Sequence, residues 1–279
     1  MGQQESQQPA VAEPKVTLLA ITRGINGESP EEVIELGARN CYQSLPAMKP
    51  GDTPRFLRSL LVQGHESVIE HASATFLIVG GSRAYTHEQV RHRLASYSQQ
   101  SQRFVSEENF RYILPPEIAK NPDALQIYGA YVEVARHLYS RLQEMGLKNE
   151  DARFVLPNAL ESRLVATFNF RELRHIFDLR LSPNAQWEIR RITAEMLKIV
   201  QREAPVVFEE FILDEENCTA IRCGKLISCA DAQQKVSQLA TEHKRVLQSL
   251  SEKENFAPLS HVANCYSPSC QKMKAELGI

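Results

Sequence analysis

The spacing of hydrophobic residues along the chain predicts a fold of mixed strands and helices. Val16 to Ile21 is a short apolar run with β-branched residues. Residues 72–79 and 163–170 alternate apolar with polar side chains, which is typical of strands with one buried face. Elsewhere apolar residues recur every three or four positions, which predicts helices over 29–42, 52–64, 121–146, 171–178 and 182–204.

Start signals locate the first of these helices. Ser29, Pro30 and Glu32 match an N-cap serine, a first-turn proline and a capping-box glutamate. A helix should therefore begin at this point and carry Val33 and Leu36 inward.

Two further helices differ in character. After the strand break expected at Gly80-Gly81, Arg83, His87 and Arg91 recur at every fourth position and should project from one unusually polar helix face. The longer helix, from Asn121-Pro122 to a stop at Gly146, is amphipathic and is interpreted as scaffold. Its expected inward stripe consists of Tyr128, Tyr131, Ala135, Leu138, Leu142 and Met145.

This order of elements contains too few β-α-β units for a doubly wound parallel sheet. The fold class is therefore predicted as α+β, with a small mixed or antiparallel sheet flanked by helices. Residues 1–14 are rich in glutamine and lack periodicity, so they are predicted to be a disordered tail. The main domain is expected over 15–216, and 217–279 is expected to form a helical C-terminal appendage.

Composition excludes several classes of protein. With 43% hydrophobic and 24% charged residues among 279, the chain lies within the range of globular proteins. No apolar run approaches the roughly 18 residues of a membrane span, and no signal peptide precedes the domain, so we expect a cytoplasmic protein. The formal charge of -2 predicts no general attraction to nucleic acid or to membranes.

The arginines are unevenly distributed. Fifteen of the 21 lie between Arg83 and Arg202, where only three lysines occur. Guanidinium groups are suited to bidentate recognition of phosphate and carboxylate, so the middle of the chain is a candidate anion site. The alternative for most of these arginines is an ion pair on a helix surface.

The common nucleotide-binding motifs are absent from the sequence: it has no Walker loop, no G-x-G-x-x-G and no G-x-S-x-G. Instead, Arg91-His92-Arg93 is followed after seven residues by Ser101-Gln102-Arg103. Residues 97–102, expected to form a loop, supply hydroxyl and amide groups that could bind a sugar, a base and a phosphate. A solvated loop without a ligand is the alternative.

These residues resemble the motif of flavin-dependent thymidylate synthases, in which Arg-His-Arg and a serine are separated by seven residues. Four other segments match that family in order: Gly64-His65-Glu66-Ser67 with Glu70-His71, Ala152 to Pro157, Asn169 to Glu172, and Leu179-Arg180 leading to Ala185 to Ile189. The resemblance covers about residues 15–214. It implies the fold of that family and does not extend to the cysteine-bearing tail.

The resemblance also implies a set of ligand contacts. In the family, flavin adenine dinucleotide (FAD) is bound between the subunits of a homotetramer with shared active sites. The residues that match flavin contacts here are His65, Ser67, Glu70, Arg91, His92, Arg93, Gln99, Asn169, Arg171 and His175. Taken alone, His65 and His71 would be interpreted as helix-end or core histidines.

For the substrate deoxyuridylate (dUMP), the resemblance points to Glu88, Gln89, Val90, Arg91, Gln99, Gln100, Ser101, Gln102, Arg103, Arg153 and Arg180. Arg180 is the candidate catalytic residue, because a guanidinium can stabilise negative charge on the uracil edge. Ser101 has no general base next to it in sequence, which favours a binding role.

The implied activity is the methylation of dUMP to dTMP, with 5,10-methylenetetrahydrofolate as carbon donor and NADPH as reductant. Two alternatives stay open. One is a related flavin- and folate-dependent methyl- or hydroxymethyltransferase of pyrimidine nucleotides. The other is a nucleotide-binding homologue that has lost turnover.

Five of the six cysteines lie in the last 62 residues. Cys218 and Cys223 form one pair, and Cys265 and Cys270 form a second pair with the same spacing. Four thiolates could make a closed structural zinc site. The alternative is inert thiols on a helical appendage, because the spacing departs from the usual C-x2-C.

Overall fold

The computed structural model describes residues 11–222, and within them it has the α+β architecture expected from the sequence. The strands are β1 (Lys15–Ile21), β2 (Ser73–Ser82), β3 (Ala95–Gln99), β4 (Glu161–Asn169), β5 (Phe211–Asp214) and β6 (Thr219–Arg222). The helices are α1 (Pro30–Asn40), α2 (Thr53–Val62), α3 (Arg83–Gln89), α4 (Pro116–Ala119), α5 (Pro122–Glu144), α6 (Asn149–Ala152), α7 (Phe170–Arg180), α8 (Trp187–Glu203) and α9 (Pro205–Phe208).

Contacts divide the described residues into two compact units. The first consists of 11–21 and 73–172, and the second of 22–72 and 173–222. The boundary falls within α7, which begins in the first unit and continues in the second.

The first unit contains a four-stranded antiparallel sheet in the order β1-β2-β4-β3. The alternation of the sequence determines its buried face, because side chains at every second position of a strand share one side. Phe76 of β2 pairs with Ala166 of β4, and Ala74 pairs with Phe168, all four fully buried. The two predicted strands at the centre of the sheet are thus confirmed.

β2 continues through Gly80-Gly81, where the sequence suggested a break. The register against β4 shifts between Val79 and Gly81, so a bulge absorbs an extra residue. Gly80 has a φ of +80°, and a Cβ there would lie 2.1 Å from the Glu13 carbonyl oxygen. Only glycine fits at this position.

Helix α5 is confirmed, but the expected inward stripe is wrong in part. Ala135 is buried as predicted, together with Val132 and Tyr139, whereas Tyr131, Leu138 and Met145 are exposed. The helix has apolar residues on two faces, and the 3.6-residue period does not say which one packs against the chain. Phe110 and Leu160 complete the cluster around Val132.

In the second unit, α1 begins as predicted: the Glu32 amide donates to Ser29 Oγ (3.2 Å), and the Ser29 amide donates to the Glu32 carboxylate (2.8 Å). The inward residues are Ile34 and Ala38, not Val33 and Leu36. The face was mispredicted because the buried turn also contains a carboxylate, that of Glu35.

The core of the second unit is aromatic. The ring of Phe177 on α7 packs edge-on against Phe208 (5.7 Å between centroids) and against Phe211 (5.5 Å). Helix α8 begins at Trp187, later than expected from Ser182-Pro183, because the Gln186 side chain caps it.

Three expectations concern the ends of the chain. Residues 11–14 are not disordered, because the Ala12 amide donates to the Tyr112 carbonyl and Ala12 is buried. Residues 1–10 and the predicted appendage beyond 222 lie outside the described residues, and position 216 falls in the turn of the β5–β6 hairpin. None of the described helices is long and apolar enough to span a membrane.

The bulge in β2 generates a stability prediction. Gly80→Ala should destabilise the protein by more than about 1 to 2 kcal/mol, since it adds a positive-φ penalty to a backbone clash. Gly129→Ala is the matched control: it lies in α5 with open space around it and should stabilise the helix by up to about 1 kcal/mol. Urea unfolding of both variants measures the difference, and equal midpoints would contradict the close approach at Gly80.

Candidate functional site

The Arg91-His92-Arg93 segment lies in the turn that joins α3 to β3. The spacing predicted that Arg83, His87 and Arg91 share one helix face. This prediction is wrong for Arg91, which comes after the end of α3. Part of the expected loop 97–102 is also strand, because β3 runs to Gln99 and pairs with β4.

Tyr97 fixes this turn. Its hydroxyl lies 2.9 Å from the Gln89 carbonyl oxygen and 2.8 Å from that of His92, and it donates its proton to them. Burial raises the pKa of Tyr97 to about 12, so the hydroxyl keeps its proton throughout the neutral range. The ring packs edge-on against Phe168, at 5.8 Å between centroids. The turn is therefore tied to the buried face of the sheet.

The central histidine of the turn points inward. His92 is 5% exposed, and its Nδ1 lies 3.6 Å from Oε1 of Glu172, which is also 5% exposed. The Glu172 amide donates to Oδ1 of Asn169 (2.8 Å), so Asn169 caps the start of α7. Asn169 and Glu172 belong to one sequence motif: Asn169 caps the helix that carries Glu172, and the Glu172 carboxylate faces His92.

The two outer arginines of the turn point outward. Arg91 and Arg93 are exposed, and neither guanidinium has a hydrogen bond or ion pair with any residue that the structure describes. Arg171, at the start of α7 in the same unit, is exposed as well. The Arg91 and Arg93 guanidinium groups, which have no carboxylate partner among the described residues, are suited to an anionic ligand such as a pyrophosphate.

Two residues predicted to contact ligands, Gln99 and Gln89, make side-chain hydrogen bonds within the protein. Gln99 Nε2 donates to Thr86 Oγ1 (2.9 Å) and Ser162 Oγ (3.1 Å), so it bridges α3 and β4. Gln89 is fully buried, and its Oε1 accepts from the Tyr85 hydroxyl. In this arrangement the Gln89 side chain supports the turn and does not reach the surface.

The predicted substrate residues after β3 converge on Glu150. Arg103 Nε donates to Glu150 Oε2 (3.0 Å), and Arg153 Nε donates to the Glu150 carbonyl oxygen (3.2 Å). The Ser101 hydroxyl accepts a hydrogen bond from the Arg103 amide (3.3 Å). No general base contacts the Ser101 hydroxyl among the described residues.

The first unit also has a cavity of about 700 Å³, which is lined in part by Gln100, Glu107 and Arg163. Gln100 Nε2 donates to Glu107 Oε1 (3.0 Å). Burial raises the pKa of the Glu107 carboxyl, which the Gln100 hydrogen bond and Arg83 partly oppose. Burial also lowers the pKa of Arg83, and the neighbouring Arg153 lowers it further.

Glu107 and Glu150 were not anticipated from the sequence. Neither belongs to a motif that resembles a known family, and isolated glutamates in polar segments carry no periodic signal. Only the folded path of the chain between β3 and β4 places Glu150 beside Arg103 and Glu107 near Arg83.

The second unit contains five further candidates. His65, Ser67 and Glu70 lie at a short 3-10 turn, Glu66–His71, and all three are exposed. His175 and Arg180 lie on α7, the first exposed and the second partly exposed. Of the remaining substrate candidates in the first unit, Val90 is exposed, while Glu88 and Gln102 are partly buried.

Comparison with known proteins identifies the family. The profile described as "Thymidylate synthase complementing protein" matches residues 19–206, about two thirds of the chain. The chain belongs to this family. The flavin-dependent thymidylate synthase resemblance seen in the motifs is thereby confirmed.

Members of the thymidylate synthase complementing protein family resemble the chain over most of their length. A protein named flavin-dependent thymidylate synthase from Geobacter sulfurreducens is 42% identical over 65% of this chain and 82% of its own. One of the same name from Clostridium tetani is 40% identical over 76% of this chain and 93% of its own. Among solved structures, the UMP/dUMP methylase PolB from Streptomyces cacaoi, bound with 5-Br dUMP, has a TM-score of 0.63 and 25% identity, covering 72% of this chain and 95% of PolB.

The position of Tyr97 generates a prediction for this family member. Tyr97→Phe removes only the hydroxyl that holds the turn, and the lost hydrogen bond should destabilise the conformation of the turn by about 1 kcal/mol. FAD binding should therefore weaken about fivefold. Tyr128→Phe is the matched control, because it removes a partly buried hydroxyl that donates to the Ile113 carbonyl oxygen (2.6 Å). Flavin fluorescence titration compares the two, and equal FAD affinities would contradict the role of Tyr97.

Proposed function

We propose that the protein is a flavin-dependent thymidylate synthase, which methylates dUMP to dTMP. The observation that carries this proposal is the turn of Arg91, His92 and Arg93. It presents two exposed guanidinium groups with no partner in the described chain, around a histidine held by Glu172. The proteins named flavin-dependent thymidylate synthase that this chain resembles support the same activity.

The residues of the turn fit FAD. Arg91 and Arg93 carry the positive charge that a pyrophosphate requires, and Arg171 adds a third exposed guanidinium in the same unit. Ser67, His65, Glu70 and His175, which match flavin contacts of the family, are proposed to supply further polar groups. When bound, the flavin supplies the redox chemistry, and the protein supplies binding and orientation.

The residues around Glu150 fit the phosphate of dUMP. Arg103 contacts the Glu150 carboxylate, Arg153 contacts the Glu150 carbonyl oxygen, and Ser101 offers a hydroxyl next to Arg103. Arg180 is proposed to stabilise the negative charge that spreads onto the uracil edge as C5 becomes nucleophilic, since a guanidinium stays charged at neutral pH. No protein nucleophile is required in this scheme.

5,10-Methylenetetrahydrofolate as carbon donor, NADPH as reductant and a cytoplasmic location remain part of the proposal. A structural zinc at Cys218, Cys223, Cys265 and Cys270 also stays a prediction, because only Cys218 lies within the described residues. The described part of the chain contains no cluster of three or more metal-ligating side chains. Elemental analysis of protein purified without chelator tests the zinc site.

A homotetramer is also proposed. The unpacked face of α5 carries Ile127, Tyr131, Val134 and Leu138, spaced by four, three and four residues. Each side chain is at least 45% exposed, and a continuous apolar stripe of this kind is typical of a subunit interface.

The second candidate function is a broader pyrimidine nucleotide methylase. The structural similarity to a protein described as a UMP/dUMP methylase favours this alternative. The two functions differ in the sugar of the substrate, so they are separated by offering both nucleotides.

Turnover by the purified protein tests the proposed function. We expect a yellow protein that releases tritium from C5-labelled dUMP in the presence of NADPH and methylenetetrahydrofolate. Equal release from labelled UMP would favour the broader methylase. A colourless protein that releases no tritium after FAD supplementation would refute both functions.

Substitutions at two predicted site residues should separate chemistry from binding. Arg180→Ala should lower kcat by about a hundredfold or more with flavin absorbance retained, because it acts on charge in the transition state. Ser101→Ala should keep measurable turnover, whereas loss of a nucleophile costs about 10⁶-fold. Complete inactivity of a folded, flavin-loaded Ser101→Ala protein would contradict a binding role.

Glu150 competes with a substrate phosphate for Arg103. Glu150→Gln should therefore lower the KM for dUMP by up to about fivefold, since an exposed ion pair contributes about 0.2 to 1 kcal/mol. Glu144→Gln, which removes the exposed partner of Arg141, is the control and should leave KM unchanged. A higher KM in Glu150→Gln would indicate that Glu150 orients the arginines and does not compete.

The α5 stripe predicts the effect of a buried charge on assembly. Val134→Asp should shift the protein from tetramers to smaller species in light scattering, because a carboxylate is costly in an apolar interface. A monomeric wild-type protein with full activity would contradict the proposed assembly.

A further inference from the structure

Arg222, the last residue of β6, lies at the centre of a network of ion pairs in the second unit. Its three guanidinium nitrogens each contact a different carboxylate: Nε contacts Glu210 (2.7 Å), Nη2 contacts Glu66 (2.9 Å) and Nη1 contacts Asp178 (2.8 Å). Arg174 on α7 also contacts Glu66 (3.1 Å) and Glu210. Two guanidinium groups and three carboxylates are thus linked.

The centre of the network is removed from water, whereas the side chains of Arg222, Glu66 and Asp178 are 34%, 29% and 33% exposed. The side chains of Arg174 and Glu210 are 3% and 6% exposed, and the Phe211 ring lies within 6 Å of both guanidinium groups. Burial raises the pKa of Glu66, but Arg174 and Arg222 more than offset this effect and hold it below its usual value. The position of Glu66 therefore depends on both arginines.

Both segments held by Arg222 carry proposed site residues. Glu66 lies between His65 and Ser67 in sequence. It is the first residue of the 3-10 turn whose last two residues are Glu70 and His71. Asp178 lies on α7, which also carries His175 and Arg180. A displacement of Glu66 would move the backbone of its two neighbours directly, because they share its peptide bonds.

We propose that Arg222 is a positioning residue for the flavin site, which holds the Glu66–His71 turn and α7 in register through Glu66 and Asp178. This inference rests on the proposed function. Arg222 lies beyond residues 19–206, which match the family profile, and no sequence motif includes it. The hairpin after the family-matched region thereby acts on the site.

Charge balance explains why Arg222 is needed. With it, the network has two cations for three carboxylates, and without it Arg174, which contacts Glu66 and Glu210, is the one cation of the network left for all three. Like charges at this spacing repel strongly where water is excluded. Glu66, the more exposed of the two carboxylates that contact Arg174, is the one expected to move away.

FAD titration of the full chain tests the proposal. Arg222→Met should weaken FAD binding at least tenfold, and Arg222→Lys should restore only part of the affinity, because a single ammonium cannot reach three carboxylates in fixed directions. Arg58→Met is the matched control: it removes a two-bond ion pair with Glu209 in the same unit and should leave FAD affinity within twofold of wild type.

Hydrogen exchange of the flavin-free protein provides a second readout. Amides of residues 65–71 should exchange faster in Arg222→Met than in the wild type. Arg58→Met should leave their exchange rates unchanged. If the wild type fails to bind FAD, the proposed function is wrong, but the exchange experiment still decides whether Arg222 holds the turn. Unchanged exchange together with unchanged FAD affinity in Arg222→Met would overturn the proposal.

A rebalanced variant covers the case in which Arg222→Met does not fold. Arg222→Met combined with Glu210→Gln removes one positive and one negative charge, and such exchanges in buried networks are often neutral for stability. The double variant should fold and still bind FAD at least tenfold more weakly. FAD affinity equal to that of the wild type in this folded variant would refute the positioning role.

Discussion

A charge removed from water must be neutralised, and this constraint divides the arginines of the chain into scaffold and site. Arg174 is buried, and it is held between two carboxylates. Arg39, also buried, pairs with Glu35 and stacks over the ring of Phe56. Arg91 and Arg93 have no such partners in the described chain, and they stay in water. Carboxylates of the chain thus neutralise the buried arginines, and Arg91 and Arg93 are left available for an anionic ligand.

The exposed pair depends on the buried groups next to it. Tyr97 ties the turn to the sheet, and Glu172 faces His92 from the start of α7. Neither Tyr97 nor Glu172 needs to touch a ligand in order to determine where Arg91 and Arg93 point. The second unit has a similar arrangement, in which an ion pair between Arg222 and Glu66 supports the turn that carries the exposed residues Ser67 and Glu70.

Local patterns predicted the elements well where one physical cause dominates. The alternation in β2 and β4 identified the central strands, and the Ser29–Glu32 capping box located the start of α1 within one residue. Patterns failed where two signals compete. Helix α5 has two apolar faces, and the polar run at 97–99 extends a sheet although its side chains suggested a loop. Backbone pairing with β4 outweighs side-chain polarity there.

The sequence by itself determined the fold class, the family and the identity of most candidate ligand residues, because these depend on periodicity and on motifs that are contiguous in the chain. Only the tertiary structure decided which arginines are neutralised. Arg103 with Glu150 and Arg222 with Glu66 are separated by 47 and 156 residues. Pairing at such distances follows from the path of the backbone, and no local propensity encodes it.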